Sequence, residues 1–303
     1  MTRVGAIDCG TNSIRLLVAD VSPAGVRDVV RRMEIVRLGE GVDATGELSP
    51  AAIERTRVAL AGYARELTEL GAERVRMVAT SASRDVANRA DFAAMVARTL
   101  GQEPEVISGE EEAQLSFAGA TRDLRDIDGP YLVLDIGGGS TEFVVGQATV
   151  TGAASVDIGC VRLTERHLHG DPPAAGEVQA ALADIRAGIG LAAGSVDLGR
   201  ARTLLGLAGS VTTVAALALG LPDYDPARIH HARIGYPQVD AVTSMLLAAT
   251  RAERAALPMM HPGRVDVIGA GALILRTVME QTDHTSVVAS EHDILDGIAY
   301  SLA

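Results

Sequence analysis

Short runs of apolar residues alternate along the chain with longer segments in which apolar residues recur at the spacing of a helix face. The first helix is the clearest, because Ser49 and Pro50 are typical of a helix start and Gly71 of a helix end. Between them, Ile53 and Leu67 belong to one apolar stripe. In this part of the chain the pattern predicts strands or extended segments at residues 4–7, 14–21, 27–38, 74–79 and 103–107, and helices at 50–70, 91–100 and 110–120.

The second half of the chain repeats this alternation. It predicts strands at residues 131–134, 141–146, 153–158, 203–207 and 286–289, and helices at 160–169, 174–192, 210–219, 237–249, 265–280 and 293–302. Strands followed by helices, twice over, are typical of two α/β domains. A charged linker at 121–129 places the boundary between residues 125 and 126, which gives domains at 1–125 and 126–303. The last helix, at 293–302, could also pack back on the first domain.

An internal repeat connects the two halves. Residues 7–18 align without a gap on residues 134–145, so that Asp8 coincides with Asp135 and Ser13 with Ser140. Each copy follows a short apolar strand and leads directly into a second strand. Each is therefore predicted to be a β-hairpin with a tight turn.

Composition narrows the class of protein. Of the 303 residues, 48% are hydrophobic and 22% are charged, which is typical of a globular protein and not of a disordered or fibrous one. Two cysteines, Cys9 and Cys160, are too few for a secreted fold held by disulfides. No apolar run reaches the ~18 residues of a membrane span, and the N-terminus lacks the features of a signal peptide. We therefore expect a cytoplasmic protein.

Charge excludes further classes. The net charge is −12, and all 27 basic residues are arginines. A chain without lysine has no Walker-type lysine and no Schiff-base lysine. The acidic excess argues against nucleic acid and against an anionic membrane as partners, because both require basic surfaces. A small or linear polyanion, held through metal ions and local arginines, is still compatible with this charge.

The two predicted turns are the first candidates for a binding site. Successive backbone N–H groups in a tight turn can converge on an anion, and glycine and asparagine permit positive φ and a close approach of phosphate. Asp8 and Asp135 lie at the strand ends beside the turns. A carboxylate repels a neighbouring phosphate unless a hard cation such as Mg²⁺ lies between the carboxylate and the phosphate. Each hairpin is thus predicted to bind phosphate and metal, with a plain hairpin as the alternative. The expected phosphate-binding residues are Gly10, Thr11, Asn12 and Ser13 in the first turn, and Gly137, Gly138, Gly139 and Ser140 in the second.

The residues just beyond the two turns differ in charge. Arg15 aligns with Glu142, so that one hairpin offers a cation where the other offers an anion. Arg15 would hold a substrate phosphate through two parallel hydrogen bonds. Glu142 would help to hold a metal ion or a water molecule. Solvated strand residues are the alternative for both.

Three further segments follow predicted strands. The acids at 110–112 follow Ser108, a helix N-cap; they suit the helix dipole, and one of them is a candidate general base. Arg84 follows small hydroxyl residues and either contacts phosphate or belongs to a simple loop. Gly209 and Ser210 open a helix whose N-terminus favours anions. The seven histidines show no spacing typical of a metal site, and His167, His169, His230 and His231 are interpreted as surface or capping residues.

Five motifs occur in order along the chain: DCGTNS at 8–13, ATSA at 79–82, SGEEEA at 108–113, DIGGGSTE at 135–142 and GLAGS at 206–210. In this combination the chain resembles the exopolyphosphatase/guanosine-pentaphosphate phosphohydrolase family, especially its short two-domain actinobacterial members. That family belongs to the actin, sugar-kinase and Hsp70 ATPase superfamily. The resemblance covers essentially the whole chain. It implies an α/β fold of two ribonuclease-H-like domains (the actin-like ATPase fold), related by duplication, with a cleft between them.

The resemblance also implies a reaction and roles for particular residues. Members of the family use Mg²⁺ (or Mn²⁺) to hydrolyse the terminal phosphoanhydride of inorganic polyphosphate, and they release orthophosphate. By motif position, Glu112 corresponds to the catalytic base, and Asp135 and Glu142 to acids that position metal and water. Asp8 belongs with the phosphate loops and is the third expected metal ligand. Arg15 corresponds to a phosphate-binding arginine in part of the family, and a homodimer is the family expectation.

Several functions are compatible with these residues. Longer members of the family carry a further C-terminal helical domain, and its absence from this sequence favours short polyphosphate or (p)ppGpp as substrate. Besides an exopolyphosphatase, the alternatives are a guanosine pentaphosphate (pppGpp) phosphohydrolase, a nucleotide-binding or (p)ppGpp-binding protein with a degenerate site, and a sugar or acetate kinase. The presence of Glu112, Asp135 and Glu142 together argues against a degenerate site.

Overall fold

A computed structural model describes residues 1–22, 25–84, 86–124 and 126–303 of the chain. The described chain divides into two compact units. Unit 1 consists of Met1–Arg122 and Asp293–Ala303, and unit 2 consists of Asp123–His292. The boundary predicted between residues 125 and 126 falls on Arg125, which lies outside the described residues.

Unit 1 is built on a mixed sheet of five strands. These are β1 (Thr2–Cys9), β2 (Ser13–Ser22), β3 (Gly25–Ile35), β4 (Arg74–Ala79) and β5 (Glu105–Val106). They lie in the order β3-β2-β1-β4-β5. The first three strands form an antiparallel meander, whereas β4 is parallel to β1 and β5 is parallel to β4.

Five helices follow these strands in the first part of unit 1. They are α1 (Val42–Thr45), α2 (Pro50–Glu69), α3 (Ser81–Arg84), α4 (Arg89–Leu100) and α5 (Gly109–Thr121). The start of α2 confirms the prediction, because the Ser49 side chain accepts a hydrogen bond from the Ala52 N–H group at 3.1 Å and Pro50 occupies the first helical position.

Unit 2 is built on a mixed sheet of six strands. These are β6 (Tyr131–Ile136), β7 (Thr141–Gly146), β8 (Val150–Val156), β9 (Thr203–Leu207), β10 (Arg233–Gly235) and β11 (Ser286–Ala289). They lie in the order β10-β11-β9-β6-β7-β8. The strands β6, β7 and β8 form an antiparallel meander, β9 is parallel to β6, and β11 is parallel to β9.

Seven helices belong to unit 2. They are α6 (Cys160–His167), α7 (Ala175–Ala193), α8 (Ala208–Ala218), α9 (Pro226–Ile229), α10 (Tyr236–Ala248), α11 (Arg251–Ala255) and α12 (Ile268–Gln281), with short 3₁₀ helices at Leu198–Arg200 and Pro262–Arg264. The last helix of the chain, α13 (Ile294–Ser301), belongs to unit 1. Within the described residues, no helix has both the length and the apolar character that crossing a membrane requires.

The two sheets confirm the predicted duplication. In each, a three-stranded antiparallel meander is followed by two parallel strands that extend the sheet from its first strand; unit 2 adds only the edge strand β10. The register also repeats, because Asp8 pairs with Arg15 in unit 1 and Asp135 pairs with Glu142 in unit 2. The α/β fold of two ribonuclease-H-like domains is therefore correct.

The first two strands separate two apolar cores in unit 1. Ile7 and Leu16 pack in a core that includes residues of α2, whereas Ala6 and Leu17 pack in a core that includes residues of α13. This alternation follows from the two-residue period of a strand. It also explains why both strands are almost continuously apolar, since both of their faces are buried.

The differences from the predicted elements concentrate in short segments. Residues 80–84 contain α3 where a loop was one interpretation, and the elements α1, α9, α11 and β10 were not predicted. These elements have three to five residues each, which is too short to display a hydrophobic period. The strand β8 begins three residues before its predicted start at 153.

Helices α5 and α13 approach each other closely in unit 1 because both carry glycine at the contact. A Cβ atom on Gly119 would lie 1.8 Å from the Asp293 carbonyl oxygen, and one on Gly297 would lie 2.0 Å from the Leu115 carbonyl oxygen. Both distances are far below a van der Waals contact. A side chain at either position would therefore force the two backbones apart.

We predict that Gly297→Ala lowers the free energy of unfolding by roughly 2 kcal/mol, the cost typical of overpacking. Urea denaturation followed by circular dichroism measures this change. Gly62→Ala is the matched control, because nothing lies within 4 Å of its Cβ position in the interior of α2. That control should raise the stability by ~0.5–1 kcal/mol. Equal stability of Gly297→Ala and the natural chain would contradict the close contact.

Candidate functional site

The loops that carry the candidate residues leave the carboxyl ends of parallel strands. In unit 1, β1, β4 and β5 are parallel, and Asp8, Thr80 and Ser108 lie at or just beyond their ends. In unit 2, β6 and β9 are parallel, and Asp135 and Gly209 lie at the corresponding places. Carboxyl ends of parallel strands meet at one edge of a sheet, so each unit collects its candidate residues at one edge.

The first turn is closed by the hydrogen bond from Gly10 N–H to the Ser13 carbonyl oxygen, at 2.9 Å. The loop after β3 supports it from behind, because Gly39 N–H donates to the Thr11 carbonyl oxygen at 2.9 Å. A Cβ atom on Gly39 would lie 2.4 Å from the Thr11 side chain, so only glycine allows this approach. Arg37 N–H likewise donates to the Asn12 carbonyl oxygen at 2.9 Å.

The second turn repeats these features. Gly137 N–H donates to the Ser140 carbonyl oxygen at 3.0 Å, and Val161 N–H, in the first turn of α6 just after the loop that follows β8, donates to the Gly138 carbonyl oxygen at 2.9 Å. A Cβ atom on Gly159 would lie 2.2 Å from the same Gly138 oxygen. Gly159 thus has the role in unit 2 that Gly39 has in unit 1. Sequence reasoning missed both, although each lies just after the third strand of its copy of the repeat.

Both turns offer backbone donors. In the described part of the chain, the N–H groups of Thr11 and Asn12 donate to no protein acceptor, and the same is true of Gly138 and Gly139. Pairs of adjacent N–H groups in a turn are a suitable arrangement for an anion. Their carbonyl oxygens accept hydrogen bonds from the supporting loops, which fixes the orientation of the peptide groups.

The conformational role expected for glycine in the turns is wrong in one respect. Neither Gly10 nor Gly137 has φ in the left-handed region. At Gly137 the reason for glycine is space, because a Cβ atom there would lie 3.0 Å from the Ser140 carbonyl oxygen. The tightness of the turn, and not its handedness, therefore favours glycine at this position.

Arg15 lies between two buried carboxylates in unit 1. Its Nε and Nη2 atoms donate to Asp8 Oδ2 at 3.0 Å and 2.6 Å, and its Nη1 atom donates to Asp293 Oδ2. Asp293 also caps α13, since its Oδ1 atom accepts from Leu295 N–H at 3.0 Å. The structure therefore places the predicted phosphate-binding arginine against the predicted metal ligand of the same hairpin, and against a carboxylate that the sequence analysis had not considered.

Burial and charge act in opposite directions on these groups. Burial raises the pKa of Asp8, and Arg15 partly opposes that shift. For Asp293, burial acts to raise the pKa, but Arg15 and Arg31 outweigh it, so the pKa lies below its usual range. Burial acts to lower the pKa of Arg15, but the two carboxylates outweigh it and hold that pKa well above the usual value. Arg15 is thus a permanent cation in this cluster.

The candidate base and the second candidate arginine lie together in unit 1. Glu112 is in the first turn of α5, which Ser108 caps by accepting from Glu111 N–H at 3.2 Å. The Glu112 carboxylate is buried, and its Oε2 atom accepts a hydrogen bond from Arg84 Nη2 at 2.7 Å. Arg84 ends α3, so the segment after β4 orients the carboxylate that follows β5.

Two acids face each other across the second hairpin. Asp135 and Glu142 are register partners in β6 and β7, and both are buried. The Glu142 Oε1 atom accepts hydrogen bonds from the hydroxyls of Ser140 and Ser155, both at 2.7 Å. Like charges directly opposite each other in a sheet are unfavourable, and burial increases the cost. The arrangement is therefore suited to a cation.

The donor set fits a hard divalent ion. Asp135 and Glu142 supply buried carboxylate oxygens in unit 2, and oxygen ligands are those that Mg²⁺ prefers. In unit 1, the Oδ1 atom of Asp8 is buried and has no hydrogen-bond partner among the described residues. An unsatisfied carboxylate oxygen is the group that a metal ion or its water shell would satisfy. The three predicted metal ligands are thus compatible with Mg²⁺ or Mn²⁺.

The helix after β9 carries the remaining candidates. Gly209 lies in the first turn of α8, and a Cβ atom there would lie 2.4 Å from the Arg264 guanidinium. Arg264, which the sequence analysis did not identify, therefore covers the start of this helix; no motif at 261–264 indicates it. Ser210 is buried against Gly271 of α12, where a Cβ atom would lie 2.2 Å from its hydroxyl oxygen. Its side chain packs in the interior of unit 2.

Comparison with known proteins finds relatives over the whole chain. A family model described as the Ppx/GppA phosphatase family matches residues 17–303. The chain is 53% identical to exopolyphosphatase 2 of Mycobacterium tuberculosis, over 100% of this chain and 99% of the relative. It is 28% identical to a guanosine-5'-triphosphate,3'-diphosphate pyrophosphatase of Aeromonas salmonicida, over 98% of this chain and 58% of the relative. These matches confirm the resemblance drawn from the motifs.

A solved structure confirms the fold. The crystal structure of an exopolyphosphatase-like protein is similar with a TM-score of 0.96 and 44% identity, and the match covers 99% of this chain and 98% of that chain.

We predict that Asp293→Asn lowers the free energy of unfolding by about 2 kcal/mol, which is less than the ~3–5 kcal/mol typical of a buried charge left wholly unpaired. The loss is smaller here because Asp8 still pairs with Arg15. Asparagine keeps the shape of the helix cap, so the measurement isolates the charge. Urea denaturation at neutral pH gives the value.

Asp28→Asn is the control for this prediction. Asp28 also pairs with an arginine, Arg31, but on the exposed surface, and such pairs contribute ~0–1 kcal/mol. If both variants lower the free energy of unfolding equally, the ion pairs of Arg15 stabilise the fold no more than an exposed pair does.

Proposed function

Because the chain belongs to the Ppx/GppA phosphatase family, we propose that it is an exopolyphosphatase that hydrolyses the terminal phosphoanhydride of inorganic polyphosphate and releases orthophosphate. The observation that carries this proposal is the duplicated turn with two adjacent backbone donors, each beside a buried carboxylate. The name of the M. tuberculosis relative, at 53% identity, supports the same substrate.

Phosphate binding is assigned to the two turns. The N–H groups of Thr11 and Asn12, and those of Gly138 and Gly139, would donate to phosphate oxygens. Phosphoryl transfer depends mainly on positioning and on charge stabilisation, so fixed amide donors suit it. The supporting loops after β3 and β8 hold these peptide groups in place before substrate arrives.

Glu112 is assigned the role of the base that orients the attacking water and takes its proton. Its carboxylate accepts a hydrogen bond from the Arg84 guanidinium, which fixes its direction. A positioned base of this kind contributes ~10²–10⁴-fold to the rate. Arg84 is therefore proposed to position Glu112, besides any contact that it makes with phosphate.

The proposed ligands of Mg²⁺ or Mn²⁺ are Asp8, Asp135 and Glu142, because carboxylate oxygens are ligands that these hard ions prefer. The bound ion would neutralise phosphate charge and polarise the bond that breaks. Arg15 holds Asp8 in position, and a contact of Arg15 with phosphate would use the N–H groups that Asp8 and Asp293 leave available. Gly209 and Ser210 are proposed to act through the N-terminus of α8.

The second candidate function is hydrolysis of pppGpp. The similarity to the A. salmonicida pyrophosphatase favours it, although the chain spans 58% of that relative. Both substrates end in a phosphoanhydride, so the same residues would serve both. We further propose a cytoplasmic homodimer without a nucleic-acid or membrane partner, on the family expectation and the acidic charge of the chain.

The proposal is tested by phosphate release from polyphosphates of several lengths, from pppGpp and from ATP, each with Mg²⁺, with Mn²⁺ and with EDTA. We expect release from polyphosphate that EDTA abolishes and that added metal restores. Faster release from pppGpp than from any polyphosphate would favour the second function. Release that persists in EDTA would contradict the assigned carboxylate ligands.

We predict that Glu112→Gln lowers the rate of phosphate release by ~10²–10⁴-fold. The amide keeps the shape of the side chain but cannot take a proton, so substrate binding, measured directly at equilibrium, should persist. Glu110→Gln is the matched control, since Glu110 lies in the same helical turn and is exposed. Turnover of Glu112→Gln close to that of the control would remove the base assignment.

A further inference from the structure

Three side chains that can ligate a metal ion meet in unit 2, and none of them is assigned to the reaction. The Asp123 Oδ2 atom lies 2.9 Å from His292 Nδ1 and 3.4 Å from His230 Nε2. The ligand atoms of the three residues all lie within 4.8 Å of one another. All three side chains are partly exposed, so an ion and its water ligands can reach them.

The chain brings these residues together from distant positions. Asp123 follows α5, His230 follows α9, and His292 lies just beyond β11. Asp123 and His230 are 107 residues apart, so no spacing in the sequence indicates a site. His230, interpreted from the sequence as a surface or capping residue, is partly exposed, and it lies with His292 against the same carboxylate.

We propose that Asp123, His230 and His292 bind a divalent transition metal ion, for which Zn²⁺ is the probe. Two imidazoles and one carboxylate, with solvent in the remaining positions, are a common ligand set for such ions. With metal–ligand distances of ~2.0–2.2 Å, neighbouring ligand atoms in a tetrahedral site lie about 3.3 Å apart. The separation of 3.4 Å matches this value, and the one of 2.9 Å needs to lengthen by only about 0.4 Å.

Two features of the surroundings support a site and not only a pair of hydrogen bonds. The Oδ1 atom of Asp123 is buried and has no partner among the described residues, so this carboxylate has unused ligand capacity. The ring of His230 stacks on His231 at a centroid distance of 3.7 Å, which restricts its orientation. His231 itself has φ of 62°, a costly conformation for a residue other than glycine.

Binding requires each neutral imidazole to present a lone pair to the ion. His230 Nδ1 accepts a hydrogen bond from Glu291 N–H at 3.2 Å, which places the proton of the neutral ring on Nε2. When Nε2 binds the ion, this proton moves to Nδ1 and the bond from Glu291 is given up. In His292 the proton moves from Nδ1 to Nε2. No net proton is gained or lost by the two rings.

The position of the site suggests what the ion does. Asp123 is the first residue of unit 2 and His292 is its last, so a shared ion joins the two ends of this unit to the segment after α9. Joining distant segments of a chain stabilises the folded state, because the unfolded chain lacks the site. We therefore expect Zn²⁺ to raise the melting temperature.

The test is Zn²⁺ titration of the tag-free full chain, stripped with EDTA and then held in excess Mg²⁺ so that the oxygen-ligand positions are occupied. Isothermal titration calorimetry should show one equivalent of Zn²⁺, bound at least about tenfold more weakly by His230→Ala and by His292→Ala. His167→Ala is the matched control, because His167 also contacts an aspartate, Asp184, at 3.0 Å, and among the described residues it belongs to no group of three metal-ligating side chains.

Co²⁺ absorption gives a measurement on the natural chain that does not depend on the folding of any variant. Visible bands of a four- or five-coordinate ion with nitrogen and oxygen ligands, lost in both histidine variants and kept in His167→Ala, support the site. Absence of saturable Zn²⁺ binding and of Co²⁺ bands in the natural chain overturns it. Equal weakening in His167→Ala overturns it as well, because it would show general surface binding.

Discussion

The arrangement of unit 1 depends on one partly buried cation. Arg15 is shared by Asp8 and Asp293, and without it two carboxylates would be buried side by side, at a cost of several kcal/mol each. The same guanidinium connects the first hairpin to the start of α13. The position of Asp8, a proposed metal ligand near the beginning of the chain, is therefore determined partly by residues at its end.

The two duplicated hairpins share one backbone arrangement but differ in the charge of the residue opposite the aspartate. The turn hydrogen bond and the register repeat in both copies, but the residue opposite the aspartate is Arg15 in one and Glu142 in the other. In unit 1 the aspartate is neutralised by its own hairpin. In unit 2 the two acids face each other in register, and Glu142 accepts hydrogen bonds from the hydroxyls of Ser140 and Ser155. The second hairpin therefore places an acid opposite an acid, where the first places an arginine opposite an aspartate.

The supporting loops matter as much as the turns that they hold. Gly39 and Gly159 allow a loop to pass within hydrogen-bond distance of the peptide groups that would contact phosphate. They are 120 residues apart, whereas the turns are 127 apart, because the strands between differ in length. An alignment without gaps therefore cannot pair Gly39 with Gly159. Their equivalence is visible only in the structure, where each lies against the turn of its own unit.

The sequence by itself determined the elements with a clear period, the two hairpins, the duplication and the family, because hydrophobic spacing and turn composition are local properties. Its motifs also predict Glu112, Asp135 and Glu142 as candidate site residues. Only the tertiary structure decided which side chains meet. Asp293 reaches Arg15 across 278 positions, Arg84 reaches Glu112, and Asp123 meets two histidines. Such contacts depend on how strands and helices pack, and no pattern within a short stretch of residues records that packing.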